Sequence, residues 1–579
     1  MSRERVSLAS QPMAGAEVAQ APPAAVHRSV RSPDGAVTAR MTEARGRLRL
    51  VISRDGRVAV RADLGGAPAG RLRTRRGAIH RRFTTPAGKR RVHRLDARTL
   101  RVVNRSGRGV ELLAARDGAA FRLLRAGPER TVFRAPRETR SWLQVYRGDY
   151  ELPYLAGTLS RSPPERYAFP GLLRTGRRYA LLTETGARRA AVSHMEIRRG
   201  DAGGLHVELP PHEPAPARTP WRVAILGSLA DVVQSDLPLA LGEPSRIRGD
   251  GAWIEPGRAA WSWWADRRSA ADPNAQRAHV DAAAAAGWEY VTVDAGWKAA
   301  WVPDLARYAA ARGVKLVLWF DWDDLSTPRE RRTALDRITS WGVAGIKVDF
   351  LLSDHAEEIG AMDDIARAAA NRRLIVDFHG CTVPRGIQRT WPNVLSVEGV
   401  FGAEHAVQAP IDPAHNVNLV FTRNVLGSMD YTPVTFSAPD RLTSAGHELA
   451  QSVAFESGLQ HFADAPGSYA ARPEAAAFLR AVPAAWDNTR LLSGAPGSHA
   501  VIARRSGRSW FVGAIAAGPA RALAVPTGFL GAGRYSARVV TDAPGDALQA
   551  TDATVSRGER LSIPVARNGG FVMQLTPEG

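Results

Sequence analysis

Trp341-Gly-Val-Ala-Gly-Ile-Lys-Val-Asp-Phe350 is an apolar run that closes on a lysine, a valine and a carboxylate. Ile346 and Val348 alternate with Lys347 and Asp349, and a helix-like segment from Thr327 to Ser340 leads in through Gly342 and Gly345. The stretch therefore reads as a buried parallel strand of about six residues. Asp349 stands at its carboxyl end, where ligands and catalytic side chains collect in parallel α/β architectures. A lone acid at a strand end is more often a cap or a loop hydrogen-bonder, so its meaning depends on what the rest of the chain places beside it.

Working outward, apolar strands alternate with alanine-rich amphipathic stretches from about 257 to 474. The strands read as Ala259 to Trp264, Tyr290 to Asp294, Lys315 to Asp321, Ala344 to Asp349, Arg373 to His379 and Val394 to Glu398, with weaker candidates near Met429-Asp430 and from Phe455 to His461. Helical segments such as Pro273 to Ala286, Trp301 to Ala311 and Glu357 to Ala370 fall between them. About eight such repeats predict a closed (β/α)8 TIM barrel whose strand ends converge on one mouth. Residues 29–256 differ in texture. Short alternating pieces such as Leu48 to Ser53, Val58 to Ala62 and Trp221 to Leu226 are separated by Pro33-Asp34-Gly35 and similar turns, which predicts a large antiparallel β-sandwich. Residues 475–579 return to that texture after a linking helix from Pro473 to Val482, predicting a smaller C-terminal antiparallel β-sandwich. Residues 1–28 read as disordered or as a leader remnant.

Length and composition bound the function. A chain of 579 residues is too long for one core, and 44% hydrophobic with 23% charged residues fits a globular protein. The 78 Lys+Arg against 57 Asp+Glu give a formal charge of +21, which raises the question of a polyanionic partner. The excess is arginine scattered among alanine, proline and glycine. Its one dense patch, Arg71 to Arg101, alternates with apolar residues at strand spacing, and no nucleic-acid motif accompanies it. No nucleic-acid partner is expected. Cys381 is the single cysteine, which excludes an intramolecular disulfide and a thiolate cluster. No apolar run approaches the ~18 residues of a membrane span, so no membrane partner is expected. The stretch to Ala25 is interrupted by Gln11, Glu17 and Gln20 and lacks the clean apolar core of a signal peptide, although secretion or periplasmic export is compatible with the rest of the chain.

Asp349 gains a partner in Glu404, in the loop after the sixth strand. Two carboxylates overhanging one barrel mouth are the equipment for glycosidic cleavage, one protonating the leaving oxygen and the other attacking the anomeric carbon or activating water. Trp261, Trp263, Trp264, Trp297, Trp319 and Trp322 lie at or near strand ends, where ring faces can stack on a pyranose; filling the barrel is the competing use. Glu184, Glu398 and Glu404 form a second acidic set that would suit a hard cation such as Ca²⁺ if the fold brought them together. Glu448 and Glu456 read as buried structural carboxylates, and Asp323 and Asp324 as caps for the helix after Pro328.

Several segments, in this order, resemble glycoside hydrolase family 97: Gly287-Trp-Glu-Tyr-Val-Thr-Val-Asp-Ala-Gly-Trp297, Gly345-Ile-Lys-Val-Asp-Phe350, His379-Gly-Cys381, Arg389-Thr-Trp-Pro-Asn393, Glu398-Gly-Val-Phe-Gly-Ala-Glu404, Met429-Asp-Tyr-Thr-Pro433 and Phe455-Glu-Ser-Gly-Leu-Gln460. Ser32-Pro-Asp-Gly35 and Leu182-Thr-Glu-Thr185 resemble its amino-terminal domain, so the likeness runs from about Val30 onward. The resemblance implies an N-terminal β-supersandwich, a catalytic barrel and a C-terminal β-sandwich, with calcium in the active site. It also implies two branches. Inverting α-glucosidases carry a glutamate after the strand-five histidine, and retaining members carry an aspartate at the end of strand four. This chain has Gly380 at the first position and Asp349 at the second. The resemblance then makes Asp349 the nucleophile and Glu404 the acid/base, about 5–5.5 Å apart, and Glu184, Glu398 and Glu404 the Ca²⁺ ligands. Trp263, Asp294, Trp297, Asp321, Lys347, His379 and Arg389 are the candidates for sugar contacts. The expected activity is a calcium-dependent retaining exo-α-glycosidase, an α-galactosidase first, acting on an oligosaccharide or glycoside with a non-reducing terminal α-linked sugar. α-Glucosidase and β-L-arabinopyranosidase activities are the alternatives within the family, and a non-catalytic carbohydrate-binding protein is the alternative of another class.

Overall fold

The computed structural model describes residues 26–578 apart from 45, 67, 69, 70, 126 and 202. The expectation for residues 1–25 lies outside the described residues. Val26–Arg31 is a paired strand, so the segment expected to be irregular ends earlier than residue 28.

Residues from Val26 to Gly227 build a 16-stranded sheet that folds over itself as a sandwich. Its hairpins are antiparallel and alternate inward and outward residues. Val37, Ala39 and Met41, then Leu48, Leu50 and Ile52, then Val60, Ala62 and Leu64 face one core, while their neighbours face out. Two features of this sandwich matter for function. The connection from Tyr146 to Pro153, between strands Arg140–Val145 and Tyr154–Thr158, reaches the barrel mouth. The Tyr154 N–H then donates to His415 Nδ1 of the barrel at 3.3 Å.

Seven parallel strands form the barrel: β1 Gly257–Trp261, β2 Tyr290–Val293, β3 Lys315–Asp321, β4 Gly345–Asp349, β5 Ile375–Phe378, β6 Val394–Val397 and β7 Leu459–Phe462. Apart from Lys315, Trp319 and Asp321 of β3, their residues are buried on both faces, as expected of strands flanked by helices outside and side chains inside. β7 pairs with β1, which closes that side. The expected strand near Met429-Asp430 is not a strand. The Met429 N–H donates to the Glu456 carbonyl at 2.9 Å and the Asp430 N–H to the Val397 carbonyl at 3.2 Å, one bond to each side. The chain then turns, with the Tyr431 N–H on the Met429 carbonyl at 3.0 Å. A single irregular stave thus fills the gap between β6 and β7, too short for a ladder.

Local chemistry explains the helices. Thr327 and Glu330 form a capping box for Pro328–Ser340, and Asp272 with Pro273 starts Pro273–Ala286, which ends on left-handed Gly287. The caps differ from expectation in one place. Asp321, and neither Asp323 nor Asp324, caps the short turn Trp322–Leu325, because the helix that follows already has Thr327. Helix Ala445–Ala454 joins the barrel to the C-terminal sandwich. A Cβ on Gly513 would come within 2.8 Å of the Ala450 carbonyl, so that glycine allows the close approach. The sandwich pairs a six-stranded sheet with a two-stranded one, Arg521–Pro526 with Arg560–Val565.

Candidate active site

β3 and β4 run in register so that Asp321 lies opposite Asp349 and Trp319 opposite Lys347. Ile346 and Val348 join the outer apolar core, which turns Lys347 and Asp349 toward the barrel interior. Asp349 is 9% exposed. Its Oδ2 accepts from Trp319 Nε1 at 3.1 Å and its Oδ1 from the Phe350 N–H at 2.8 Å. Gly380 leaves room for this carboxylate: a Cβ there would stand 2.9 Å from Asp349 Oδ1 and 2.9 Å from the Phe350 nitrogen.

Lys347 Nζ donates to Asp294 Oδ2 at 2.8 Å and lies 4.5 Å from the Trp261 ring centroid. Burial by itself would lower the pKa of this lysine, but Asp294, Glu404 and Asp349 together hold it well above the usual ammonium range. Asp294 is fixed in turn by Trp261 Nε1 at 2.7 Å and the Ala295 N–H at 2.8 Å. Burial pushes its carboxyl up, and Lys347 more than reverses that, leaving it below the ordinary value.

Glu404 sits in the turn Ala403–Val407. The Ala403 carbonyl accepts from Trp264 Nε1 at 3.0 Å, and the Ala403 N–H donates to the Tyr431 carbonyl at 2.9 Å, so the turn is pinned on both sides. Glu404 Oε2 is buried with no hydrogen-bond partner and lies 3.9 Å from His379 Nδ1. Burial raises the pKa of this carboxyl; Lys347 and His379 oppose the rise, while Asp349 adds to it. Asp349 and Glu404, from distant parts of the chain, therefore act electrostatically on each other and on one lysine.

Glu398, just past β6, accepts the Gly380 N–H at 2.7 Å and lies 3.3 Å from His379 Nδ1. Burial, then the carboxylate of Glu151, pushes it well above the usual range against the pull of His379. The other nitrogen of His379 meets Asp430 Oδ2 at 2.7 Å and Asp377 Oδ2 at 3.2 Å. Burial would lower the imidazole pKa, but the Glu398 and Asp377 carboxylates hold it well above the ordinary value.

His379, Glu398 and Glu404 each offer a ligand atom within 4.8 Å of one another. The orphaned Glu404 oxygen and the mutual repulsion of buried carboxylates fit a hard divalent cation with oxygen ligands. The third acid beside them is Glu151. Its Oε2 accepts from His405 Nε2 at 3.0 Å, one residue from Glu404, and its charge bears on Glu398. The sequence reading overlooked it. Its only local signal is a turn, Gly148-Asp-Tyr-Glu-Leu-Pro153, with two acids between strands.

Glu184 does not join the cluster. Its strand, Arg178–Thr185, pairs Glu184 with Arg222. Its Oε2 is taken by Arg222, and its Oε1 by Arg385 Nη1 at 2.6 Å and the Ser193 N–H at 2.8 Å. Arg385 also donates to the Tyr150 hydroxyl, so Glu184 braces the segment that carries Glu151. Arg389 is likewise placed elsewhere. It donates to the Ala240 carbonyl and to the Gly242 carbonyl at 2.8 Å, and stacks over Phe83 at 4.2 Å, joining the barrel to the sandwich. Asp321 is used as a cap on the Asp323 N–H at 3.1 Å. Trp297 donates to the Trp319 carbonyl at 2.7 Å and supports that residue from behind. Trp263, half-buried, stacks on Trp261 at 5.6 Å. Asp294, Lys347 and His379 stand with the two carboxylates.

A parallel barrel with carboxylates at the carboxyl ends of its strands that act on one another electrostatically has the make-up of a glycoside hydrolase, and comparison with known proteins gives the same class. This chain belongs to glycoside hydrolase family 97. The models for its N-terminal domain, for glycoside hydrolase 97 itself and for the glycosyl-hydrolase 97 C-terminal (oligomerisation) domain match residues 30–244, 253–400 and 485–576. A probable retaining alpha-galactosidase of Streptomyces bingchenggensis is 38% identical over 567 residues, covering 91% of this chain and 88% of the relative. A retaining alpha-galactosidase of Bacteroides thetaiotaomicron is 30% identical over 457 residues, covering 70% of this chain and 68% of the relative. Among solved structures, a family 97 enzyme of a Pseudoalteromonas species in complex with acarbose superposes with a TM-score of 0.86 at 21% identity, covering 95% of this chain and all of that one. A beta-arabinopyranosidase superposes with a TM-score of 0.84 at 23% identity, covering 94% and 100%. The sequence-based family resemblance and the three-domain architecture are both borne out. Among the described residues no helix is long and apolar enough to cross a membrane.

Proposed function

We propose that the protein is a calcium-dependent retaining exo-α-glycosidase with galactose as its glycone, in which Asp349 is the nucleophile and Glu404 the acid/base. The observation that carries this reading is the seating of Asp349. Trp319 Nε1–H and the Phe350 N–H each hold one oxygen, and Gly380 leaves the space in front of it clear. A glutamate at position 380, the base of an inverting mechanism, would need a Cβ where Asp349 already stands. Two carboxyls in contrasting settings, Asp349 held by two hydrogen bonds and Glu404 with an unpartnered buried oxygen and a raised pKa, suit a nucleophile and a proton donor.

In the first step an Asp349 oxygen attacks the anomeric carbon from one face while Glu404 gives its proton to the departing glycosidic oxygen. In the second, Glu404 takes a proton from water, the water oxygen bonds to the anomeric carbon and the Asp349 ester bond breaks. Two inversions leave the anomeric configuration retained. Lys347 offsets the charge of the carboxylates throughout. Glu151, Glu398 and Glu404 would hold the calcium ion, which when bound supplies positive charge against their crowding and fixes their orientation. Galactose is favoured by the two relatives, both described as retaining alpha-galactosidases.

Incubation with a 2-deoxy-2-fluoro-α-galactosyl donor followed by peptide mass spectrometry tests the mechanism, with label expected on Asp349. NMR of the first product from para-nitrophenyl α-galactoside should show the α anomer. A β anomer, or label on another residue, overturns the reading. Rates with the α-galactoside, the α-glucoside and the β-L-arabinopyranoside decide the glycone.

A further inference from the structure

Two large apolar side chains within three residues of Asp349 are held in solvent. Phe350 is 49% exposed and Leu352 is 52% exposed. Both lie in the left-handed backbone region, with φ of 66° and 47°, which the Cβ of a bulky residue disfavours. Strained backbone persists only where the surroundings over-determine it, and such residues gather at functional sites.

The surroundings here are specific. The Leu352 N–H donates to the Gly380 carbonyl at 2.7 Å, and the Leu352 carbonyl lies so close to Gly148 that a Cβ there would be 2.0 Å away. Further along, the Val192 N–H donates to the Asp354 carbonyl at 3.0 Å, and the Tyr150 hydroxyl donates to the buried Asp354 carboxylate. At the start of the loop the Phe350 ring meets Trp319 edge to face, with centroids 5.9 Å apart at 74°. Trp319 is the residue whose indole N–H holds Asp349. The exposed Phe350 ring is therefore one aromatic contact from the nucleophile. Asp294, Lys347 and His379, the groups that can bind hydroxyls, are all buried.

We infer that Phe350, with Leu352 two residues on, forms an aglycone platform: a rigid apolar surface that receives the C–H face of a pyranose leaving group. This rests on Asp349 being the nucleophile. The glycone takes the buried polar end, and the departing sugar leaves across the aromatic face, which prefers a ring with an apolar side to a small or charged leaving group. Because the loop is tied at both ends, the contact needs no ordering at the moment of binding.

The test compares kcat/KM for melibiose, whose leaving group is a pyranose, with kcat/KM for α-galactosyl fluoride, whose leaving group has no ring. Phe350→Asn removes the ring while keeping a residue that tolerates left-handed backbone, and Phe350→Tyr keeps the ring. The melibiose-to-fluoride ratio should fall about tenfold in Phe350→Asn and return close to the wild-type value in Phe350→Tyr. A ratio in Phe350→Asn within about twofold of wild type, or an equal fall in Phe350→Tyr, overturns the platform. Label from the fluorinated donor on a residue other than Asp349 would refute the nucleophile assignment, whereas an unchanged ratio in a protein labelled at Asp349 overturns the platform alone, so the two failures are told apart.

Discussion

Replacing Gly380 by alanine tests the seating of Asp349 with the smallest possible change. Gly380 has φ of +48°, where alanine costs about 1–2 kcal/mol. The new methyl would lie 2.9 Å from Asp349 Oδ1, 2.9 Å from the Phe350 nitrogen and 3.1 Å from its Cα. Neither neighbour can yield freely. The carboxylate would have to give up hydrogen bonds to Trp319 or Phe350, each worth about 1.5–3 kcal/mol to a charged acceptor, and the Phe350 backbone belongs to the tied loop. Overpacking of this kind adds about 1–3 kcal/mol, and a nucleophile moved by about 1 Å loses roughly 10²-fold in rate, equivalent to about 2.7 kcal/mol. The assay is kcat and KM with para-nitrophenyl α-galactoside, together with the rate of covalent labelling by the fluorinated donor. Expected are a kcat lowered about 10²-fold, a labelling rate lowered in proportion and a smaller change in KM. A Gly380→Ala enzyme with near wild-type kcat, or one that labels at Asp349 at the wild-type rate, would refute the argument that this glycine clears space for attack.

Four other outcomes are expected. Asp349→Gly should lose about 10³–10⁵-fold in kcat and recover with azide, giving the β-galactosyl azide; recovery with the α product contradicts the assigned face of attack. Glu404→Gln should be slowed at least about 10²-fold on glycosides with poor leaving groups and far less on the fluoride, and an equal loss on both counts against Glu404 as the proton donor. Terbium luminescence or calcium titration should show weaker binding in Glu151→Gln than in Glu184→Gln, because only Glu151 borders the cluster; the reverse order would return Glu184 to the ligand set. His415 and His447 are buried, and burial lowers each to a pKa of about 4. The unfolded chain binds their protons near pH 6.5, so each contributes stability that is present above that pH and lost as the pH falls through 4. The effect is of order 3 kcal/mol for each at the acid end, and a stability in denaturant that stays flat from pH 7 to pH 4.5 would contradict it.

Much of the fold was readable locally. The alternation of Ile346 and Val348 with Lys347 and Asp349 defined β4, and the structure ends that strand at Asp349. Pro273–Ala286 was legible to the residue from its proline, its apolar spacing and its terminal glycine. The stave at Met429 to Tyr431 was misread as a strand because so short a segment gives no sign of whether its N–H groups will find one partner strand or two separate carbonyls. Asp349 and Glu404 were legible because each lies where a barrel rim can be predicted from strand order alone.

What the sequence by itself determined is therefore whatever depends on neighbours along the chain: strand ends, caps, the barrel rhythm and the acids at its rim. Tertiary structure decided the rest. Glu184 and Glu151 look equally available as letters, yet cross-strand pairing commits Glu184 to two arginines, while a turn delivers Glu151 to Glu398 and His405. Arg389 looked like a sugar-binding cation and instead satisfies carbonyls between two domains. The physical reason is common to these cases: a buried charge must meet a partner, and which partner it meets is fixed by contacts between segments far apart in sequence.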